Sequence, residues 1–296
     1  MIYPRSIRNC YRLLTLFFAL VMSATGATTL HAQSTSPFFV INGADVISGY
    51  PLEGHLIMAR TAPDHKVTLD GTPVTVADDG LFVIGFHRDS DDDTTLSITD
   101  GNGSISTTIL SPAQRDYNIQ RIDGLQKSMV TPPQEVLDRI RADSKKVREA
   151  RVVPAPTGDF WRGLDWPVLG RISGVYGSQR ILNGKPRAPH YGIDIAAPLG
   201  TPVHAPASGT ITLAYDLYFS GLTVILNHGL GVNSTFLHLD EMAVRVGDKV
   251  ERGGVIGTLG STGRSTGPHL DWRIDWQGRR IDAALIAGPM PDLPES

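Results

Sequence analysis

The sequence is poor in cysteine: Cys10 is the only one among 296 residues, and it lies ahead of the first apolar run. A cysteine in that position is removed with a cleaved signal segment, so the mature chain has no thiol for disulfides or thiol catalysis. The chain also lacks an excess of charge, with a formal net charge of -3 at pH 7. This balance gives no reason to expect nucleic acid or an anionic membrane surface as the main partner.

Long apolar runs are scarce as well. The N-terminal run from Leu13 to Met22 is shorter than the roughly 20 residues that a membrane-spanning helix needs. It follows three arginines within residues 5–12 and precedes small residues, which is typical of a secretory signal peptide. We predict a signal peptide over residues 1–32, cleaved after Ala27 or Ala32, and no transmembrane segment after cleavage. An uncleaved anchor is the alternative.

The first part of the mature chain is predicted to form a series of short strands, the first of them at residues 39–41. Alternating apolar and polar residues are separated by dipeptides that favour tight hairpins, namely Asp70-Gly71, Asp79-Gly80 and Asn102-Gly103. This pattern predicts a small, Ig-like β-sandwich over residues 37–110. The acidic run at residues 89–93 lacks the glycine and the closing glutamate of a calcium loop, so we interpret it as a solvated loop.

The second part is predicted to be mostly β as well. Residues 111–159 form a linker whose polar composition and helical spacing predict a helix at residues 134–151. From Phe160 onward, strands and glycine turns return without a long helical period. Parallel βαβ crossovers are therefore excluded, which favours an antiparallel sheet in a domain over residues 160–286, followed by a tail over residues 287–296.

Polar side chains that can bind a metal recur on one side of three strand-like segments. In the stretch from Gly267 to Ile274, alternation places His269, Asp271 and Arg273 on one side. His190 and Asp194 are four residues apart, with Gly192 between them leaving room for a ligand, and His238 lies between two leucines. Three histidines and two carboxylates are sufficient for a zinc centre that catalyses hydrolysis.

Other histidines and one serine motif have simpler interpretations. We interpret His204 and His228 as hydrogen-bonded structural residues. Residues 263–267 match the G-x-S-x-G pattern of serine hydrolases, but that motif needs a helix next, and Pro268 begins an alternating strand. No acid lies between Ser265 and the only later histidine, so we interpret this segment as a turn that delivers His269 to the site.

Three of these segments together resemble the M23 (lysostaphin/LytM-type) peptidoglycan metallopeptidases. They are Gly184 to Ala207, Thr235 to Leu239 and Gly260 to Asp271, and the similarity runs from Trp166 to Ile281 in the same order. The resemblance implies an antiparallel β-sheet metallopeptidase domain that holds one zinc ion per chain.

Carried over by position, the resemblance implies that His190 and Asp194 bind zinc and that His238 and His269 flank it. The family usually has histidine where this chain has Asp271, so Asp271 as the third ligand is a hypothesis. Carboxylate oxygen is an accepted zinc ligand, but its charge makes the metal less electrophilic. We expect His269 to be the general base and His238 to donate a hydrogen bond to the oxyanion, although the two roles could be exchanged.

The function that the resemblance implies is a secreted zinc endopeptidase that hydrolyses peptide cross-links of bacterial cell-wall peptidoglycan. We expect the periplasm of a Gram-negative bacterium as its location, peptidoglycan peptide stems as its substrate, and a possible cell-envelope protein partner for the N-terminal module, whose role is targeting or autoinhibition. The alternative is a catalytically inactive relative that binds peptidoglycan or activates a cell-wall amidase. A purely structural β-protein is a third reading.

Overall fold

The computed structural model describes residues 39–122, 136–182 and 184–292. The predicted signal peptide at residues 1–32 lies outside these ranges, as do residues 134–135 of the predicted helix and the last four residues of the predicted tail. None of the helices in the described ranges has the length and apolar composition that a membrane crossing requires.

The N-terminal part contains two small antiparallel sheets. The three-stranded sheet has the order β1-β2-β5, formed by Asp45–Ser48, Leu56–Arg60 and Leu81–Gly85. The four-stranded sheet has the order β4-β3-β6-β7, formed by β3 (Lys66–Leu69), β4 (Thr72–Val74), β6 (Thr94–Thr99) and β7 (Ile105–Leu110). Their buried faces contribute to one apolar core.

The turn residues explain the hairpin between β3 and β4. Asp70 and Gly71 both have positive φ, 49° and 75°, as the tight turn between β3 and β4 requires.

The prediction of a strand at residues 39–41 was wrong: residues 39 and 40 are irregular, and Ile41 forms only an isolated bridge to Ala44. A one-residue bridge anchors Ile41 in the core without a ladder.

A strand and a helix connect the two parts. Strand β8 (Ile119–Ile122) pairs in parallel with β10 (Gln179–Leu182), and helix α1 spans Leu137–Arg151. Val147 and Ala150 of α1 pack against apolar residues of the C-terminal sheet. The Asp143 carboxylate of α1 also accepts a hydrogen bond from the backbone N–H of Tyr218 at 2.8 Å. The helix is therefore docked on the sheet.

The C-terminal part is built on a ten-stranded antiparallel sheet whose main path is β17-β14-β15-β16-β19-β12-β9. Its strands are β9 (Arg171–Gly174), β12 (Ile193–Ala196), β13 (Pro202–His204), β14 (Gly209–Leu217), β15 (Gly221–Gly229), β16 (Val232–Met242), β17 (Lys249–Val250), β18 (Val255–Leu259), β19 (Leu270–Trp276) and β20 (Arg279–Ile281). The remaining elements are β11 (Lys185–Pro186), a 3-10 helix (Phe160–Arg162) and α2 (Ala283–Ala287). The prediction of a mostly β protein with an antiparallel C-terminal sheet is confirmed.

The apolar face of β19 fixes which of its side chains face the site. Leu270, Trp272 and Ile274 are fully buried, because alternate residues of a strand point to the same side. Trp166 packs its ring edge-on against Trp272, with ring centroids 5.8 Å apart. Asp271 and Arg273 therefore project from the opposite face.

An ion pair between Asp159 and Arg252 links the segment ahead of the C-terminal sheet to the loop after β17. Arg252 donates from Nε to Asp159 at 2.7 Å, and the N–H of Ser208 donates to the same carboxylate at 2.8 Å. Partial burial acts to raise the pKa of Asp159, but these hydrogen bonds outweigh it and lower the pKa to about 2. Since the folded pKa lies below the unfolded value, the pair stabilises the protein above pH 4, and this contribution disappears as the pH falls through 2.

We therefore expect Asp159→Asn to lower the free energy of unfolding by about 1–2 kcal/mol at neutral pH. The difference from the unchanged protein should shrink as the pH falls from 5 towards 2. Urea unfolding at several pH values measures both. Asp138→Asn is the matched control, because Asp138 pairs with Arg141 on an exposed helix surface and should matter little at any pH. A loss that stays constant with pH would contradict the ion-pair explanation.

Candidate metal centre

Strand register brings two carboxylates together. Strands β12 and β19 are antiparallel neighbours, and Asp194 lies directly opposite Asp271. Directly opposite residues project from the same face of a sheet, about 5 Å apart at Cβ. His190 lies four residues before Asp194, as the sequence indicated, and joins the pair from the loop that leads into β12.

Two glycines keep the space around these carboxylates open. A Cβ atom at Gly174 would lie 2.3 Å from Oδ2 of Asp194, and one at Gly192 would lie 2.1 Å from Oδ1 of Asp271. Any larger residue would collide with a carboxylate at either position, since real Cβ atoms do not approach this closely. The sequence predicted that Gly192 leaves room for a ligand; in the structure, the Asp271 side chain lies in that space.

His190, Asp194 and Asp271 together offer three metal-ligating atoms that lie within 4.8 Å of one another. Nε2 of His190 and Oδ1 of Asp194 are 3.2 Å apart, and both atoms are buried with no hydrogen bond to any of the described residues. Buried polar atoms are costly unless they are paired or bind a metal. The two orphaned atoms and the nitrogen and oxygen donors fit a zinc ion.

Two further histidines stand beside this cluster, and each has its Nδ1 against a backbone carbonyl oxygen. The rings of His238 and His269 are 4.8 Å apart at their centroids. Nδ1 of His238 lies 2.7 Å from the carbonyl oxygen of Thr262, and Nδ1 of His269 lies 2.8 Å from that of Gly267. A carbonyl oxygen only accepts, so each neutral ring carries its proton on Nδ1 and presents the Nε2 lone pair. Nε2 of His269 is 3.9 Å from Oδ1 of Asp194.

His238 reaches the site through an unusual backbone conformation. Its neighbour Leu237 is opposite Asp271 in the ladder, so strict alternation would turn His238 away from the carboxylates. His238 instead has a φ of +63°, in the left-handed region that few residues other than glycine adopt. Burial lowers the pKa of His238, although its hydrogen bond to Thr262 acts the other way. The ring is consequently neutral at physiological pH.

Arg273 occupies one side of the Asp271 carboxylate. Its Nε lies 3.0 Å from Oδ1 and 3.1 Å from Oδ2, and its Nη2 also donates to Oδ2. Burial acts to raise the pKa of Asp271, but the Arg273 charge outweighs it, so the pKa lies below its usual value. Sequence alternation placed Arg273 on this face but gave it no role. The sequence feature that could have suggested the pairing is the spacing of two residues between Arg273 and Asp271, which places both side chains on the same side of a strand.

Residues 188–283, which include the whole cluster, match the sequence profile of peptidase family M23. This part of the chain is therefore similar to the peptidases of family M23. The peptidoglycan DD-endopeptidase ShyA of Vibrio cholerae serotype O1 is 38% identical over 121 residues, 40% of this chain and 28% of the relative. The DD-carboxypeptidase/endopeptidase Mpg of Neisseria meningitidis serogroup B is 42% identical over 107 residues, 36% of this chain and 25% of the relative.

The chain thus matches about a quarter of the length of these curated relatives. A crystal structure of a Pseudomonas aeruginosa protein described as an M23 peptidase is similar over more of the chain. Its TM-score is 0.64 at 28% identity, covering 82% of this chain and 97% of that one. The similarity in fold therefore extends beyond the M23 segment, the name used below for residues 188–283.

The loop after β5 packs against the start of the M23 segment and the residues just before it. Arg88 is buried and donates from Nε to the carbonyl oxygen of Gly177 at 2.8 Å. The N–H of Gly177 in turn donates to the carbonyl oxygen of His190 at 2.8 Å. The ring of His87 lies 5.3 Å from the ring of Tyr191, which follows His190 directly. The loop after β5 therefore supports the carbonyl group of His190, through Gly177, and the ring of Tyr191, which sequence reasoning did not foresee.

The G-x-S-x-G stretch of the M23 segment forms a turn, and strand β19 rather than a helix follows it. Ser265 donates to the carbonyl oxygen of Gly267 at 2.8 Å, and its Oγ lies 3.2 Å from Nδ1 of His269. A serine on the Nδ1 side of His269 faces away from the Nε2 side, where Asp194 lies. Ser265 is placed to orient His269 rather than to attack a substrate.

The two remaining histidines of the M23 segment lie apart from the metal cluster. His228 is fully buried between the carbonyl oxygen of Ser208 and the hydroxyl of Ser234, each 2.8 Å away, and burial lowers its pKa to about 4. Nδ1 of His204 lies 2.9 Å from the carbonyl oxygen of Gly253. Both therefore have backbone partners of their own.

Proposed function

We propose that the chain is an exported zinc endopeptidase that hydrolyses peptide cross-links of bacterial cell-wall peptidoglycan, in the periplasm of a Gram-negative bacterium. The observation that carries this proposal is the convergence of His190, Asp194 and Asp271 within 4.8 Å, next to two histidines that present Nε2 lone pairs. The match of residues 188–283 to peptidase family M23 and the similarity to proteins named as peptidoglycan endopeptidases support it.

We assign the metal to His190, Asp194 and Asp271, at one ion per chain. Zinc, when bound, supplies Lewis acidity toward a water molecule and a substrate carbonyl. His269 takes the proton of the attacking water at Nε2, because Asp194 lies 3.9 Å away and stabilises the imidazolium that forms. His269 then returns this proton to the leaving amine.

His238 orients the attacking water in this mechanism. Its Nδ1 proton is committed to Thr262, so in the neutral ring Nε2 can only accept a hydrogen bond. The donor role toward the oxyanion that the sequence suggested would first require His238 to gain a proton, which its lowered pKa opposes. We therefore propose that His238 orients the water by accepting one hydrogen bond from it, while His269 alone takes the proton that is transferred.

The direct test is digestion of isolated sacculi by the purified protein, with mass analysis of the released muropeptides. Monomers should replace cross-linked dimers, and a zinc chelator should stop the conversion. His204→Ala is a matched control, since His204 lies outside the cluster. If the protein holds zinc but leaves the dimers intact, peptidoglycan cross-links are not its substrate.

One observation favours a second candidate, a non-catalytic M23 protein that binds peptidoglycan or activates an amidase. Arg273 already satisfies both oxygens of Asp271, so the third ligand has a partner without metal. In this case the purified protein would sediment with sacculi, contain no zinc and release no muropeptides. The same experiment therefore separates the two functions.

A further inference from the structure

The Asp271–Arg273 pair is the most enclosed ion pair of the candidate site. The Asp271 side chain is 4% exposed and that of Arg273 is 28% exposed. Nε of Arg273 approaches both carboxylate oxygens within 3.1 Å. Charge-assisted bonds of this kind are among the strongest in proteins. The pair must therefore be considered in any account of how Asp271 binds a cation.

The fold reserves space for both members of the pair. A Cβ atom at position 192 would lie 2.1 Å from Oδ1 of Asp271 and 2.7 Å from Cγ of Arg273. The absence of a side chain at this one position thus accommodates the two together. Oδ1 accepts a hydrogen bond from Nε alone and so keeps a lone pair that the guanidinium does not use. Asp271 can therefore hold Arg273 and a metal ion at the same time.

The charges of the site indicate what Arg273 contributes. Asp194 and Asp271 each carry -1 and neutral His190 carries none, so a divalent cation brings the ligand set to zero. Arg273 raises the total charge of the site to +1. A divalent cation bound by one carboxylate and two neutral ligands would have the same total charge. A bound cation is more electrophilic when its ligands leave a positive charge uncompensated.

We infer that Arg273 is the counter-charge that allows a carboxylate, Asp271, to serve as the third metal ligand in this chain. This inference rests on the proposed zinc function. Arg273 is a positioning residue in this account because it acts on the metal through Asp271, whose charge it compensates. A purely structural role predicts that its loss weakens zinc binding, whereas a counter-charge predicts that its loss strengthens it, because a neighbouring cation is removed.

The test measures the zinc dissociation constant of the full chain by competition with a chromophoric chelator. Arg273→Met should bind zinc about tenfold more tightly, and Asp271→His should bind it about tenfold more weakly because Arg273 is then unpaired. The double variant restores the native total charge, so its affinity should return to within about threefold of the unchanged protein. Arg273→Lys keeps the charge and should stay close to the unchanged protein. Arg245→Met, at an exposed arginine, is the control for overall charge.

The outcomes distinguish this inference from the proposed function. Weaker zinc binding by Arg273→Met, or a double variant that binds zinc as weakly as Asp271→His alone, would overturn the counter-charge while leaving a zinc protein. An unchanged protein that binds no zinc would overturn both, since Asp271 would then not be a ligand. Circular dichroism of each variant establishes that the fold is retained.

Discussion

Replacing His190 by alanine should remove zinc from the purified protein and lower its endopeptidase rate by about 10³-fold or more, since a metal supplies several kcal/mol of transition-state stabilisation. His190 is the imidazole of the ligand set, and its Nε2 makes no hydrogen bond to the described residues. Without it, Asp194 and Asp271 would face each other as two like charges. Elemental analysis of zinc content and release of muropeptides measure the two effects.

Two companion variants make this result specific. His204→Ala removes an imidazole outside the cluster and should keep both zinc and activity. Asp271→Ala tests the third ligand alone: if it keeps both metal and activity, only the assignment of Asp271 is wrong. Identical digests from His190→Ala and the unchanged protein would reject the mechanism altogether.

His269→Ala should lower turnover by about 10²–10⁴-fold, the usual contribution of a general base, while the zinc content stays the same. The ring lies beside the ligands rather than among them, with Nε2 3.9 Å from Asp194. Steady-state kinetics on a soluble cross-linked muropeptide, together with zinc analysis, separates proton transfer from metal binding. Loss of zinc in this variant would make His269 a ligand instead.

Ser265→Ala is the matched control for His269. Its hydroxyl contacts the same Nδ1 that the Gly267 carbonyl already holds, so its loss should cost only about the value of one shared hydrogen bond, a few-fold in rate. A serine nucleophile predicts instead that this variant is inactive. The comparison of the two variants therefore also tests the G-x-S-x-G interpretation.

Much of the site could be predicted because local patterns determine which side of a strand a residue faces. Alternation placed His269, Asp271 and Arg273 on one face, and the structure places Leu270 and Trp272 in the core opposite them. Which strands become neighbours depends on the whole sheet, since no local pattern specifies a partner. The register that sets Asp194 against Asp271 could therefore not be derived from the sequence.

The features that the sequence did not indicate are those in which tertiary contacts override local preference. His238 adopts a left-handed conformation that no side-chain pattern encodes. The parallel pairing of β8 with β10 joins residues about 60 positions apart. Arg88 and Gly177, which are joined by a hydrogen bond, are 89 positions apart in the sequence. Each of these depends on where distant segments pack, and the periodicity of a short stretch carries no such information.

The close approach of β5 to the C-terminal sheet also has a consequence for protein engineering. A Cβ atom at Gly85 would lie 2.8 Å from Ile281 and 3.1 Å from Trp276, so the end of an N-terminal strand covers the reverse side of the strand that carries Asp271. A fragment assembled from residues 160–286 alone would expose this apolar flank. A fragment meant to fold should therefore keep the two N-terminal sheets together with the C-terminal sheet.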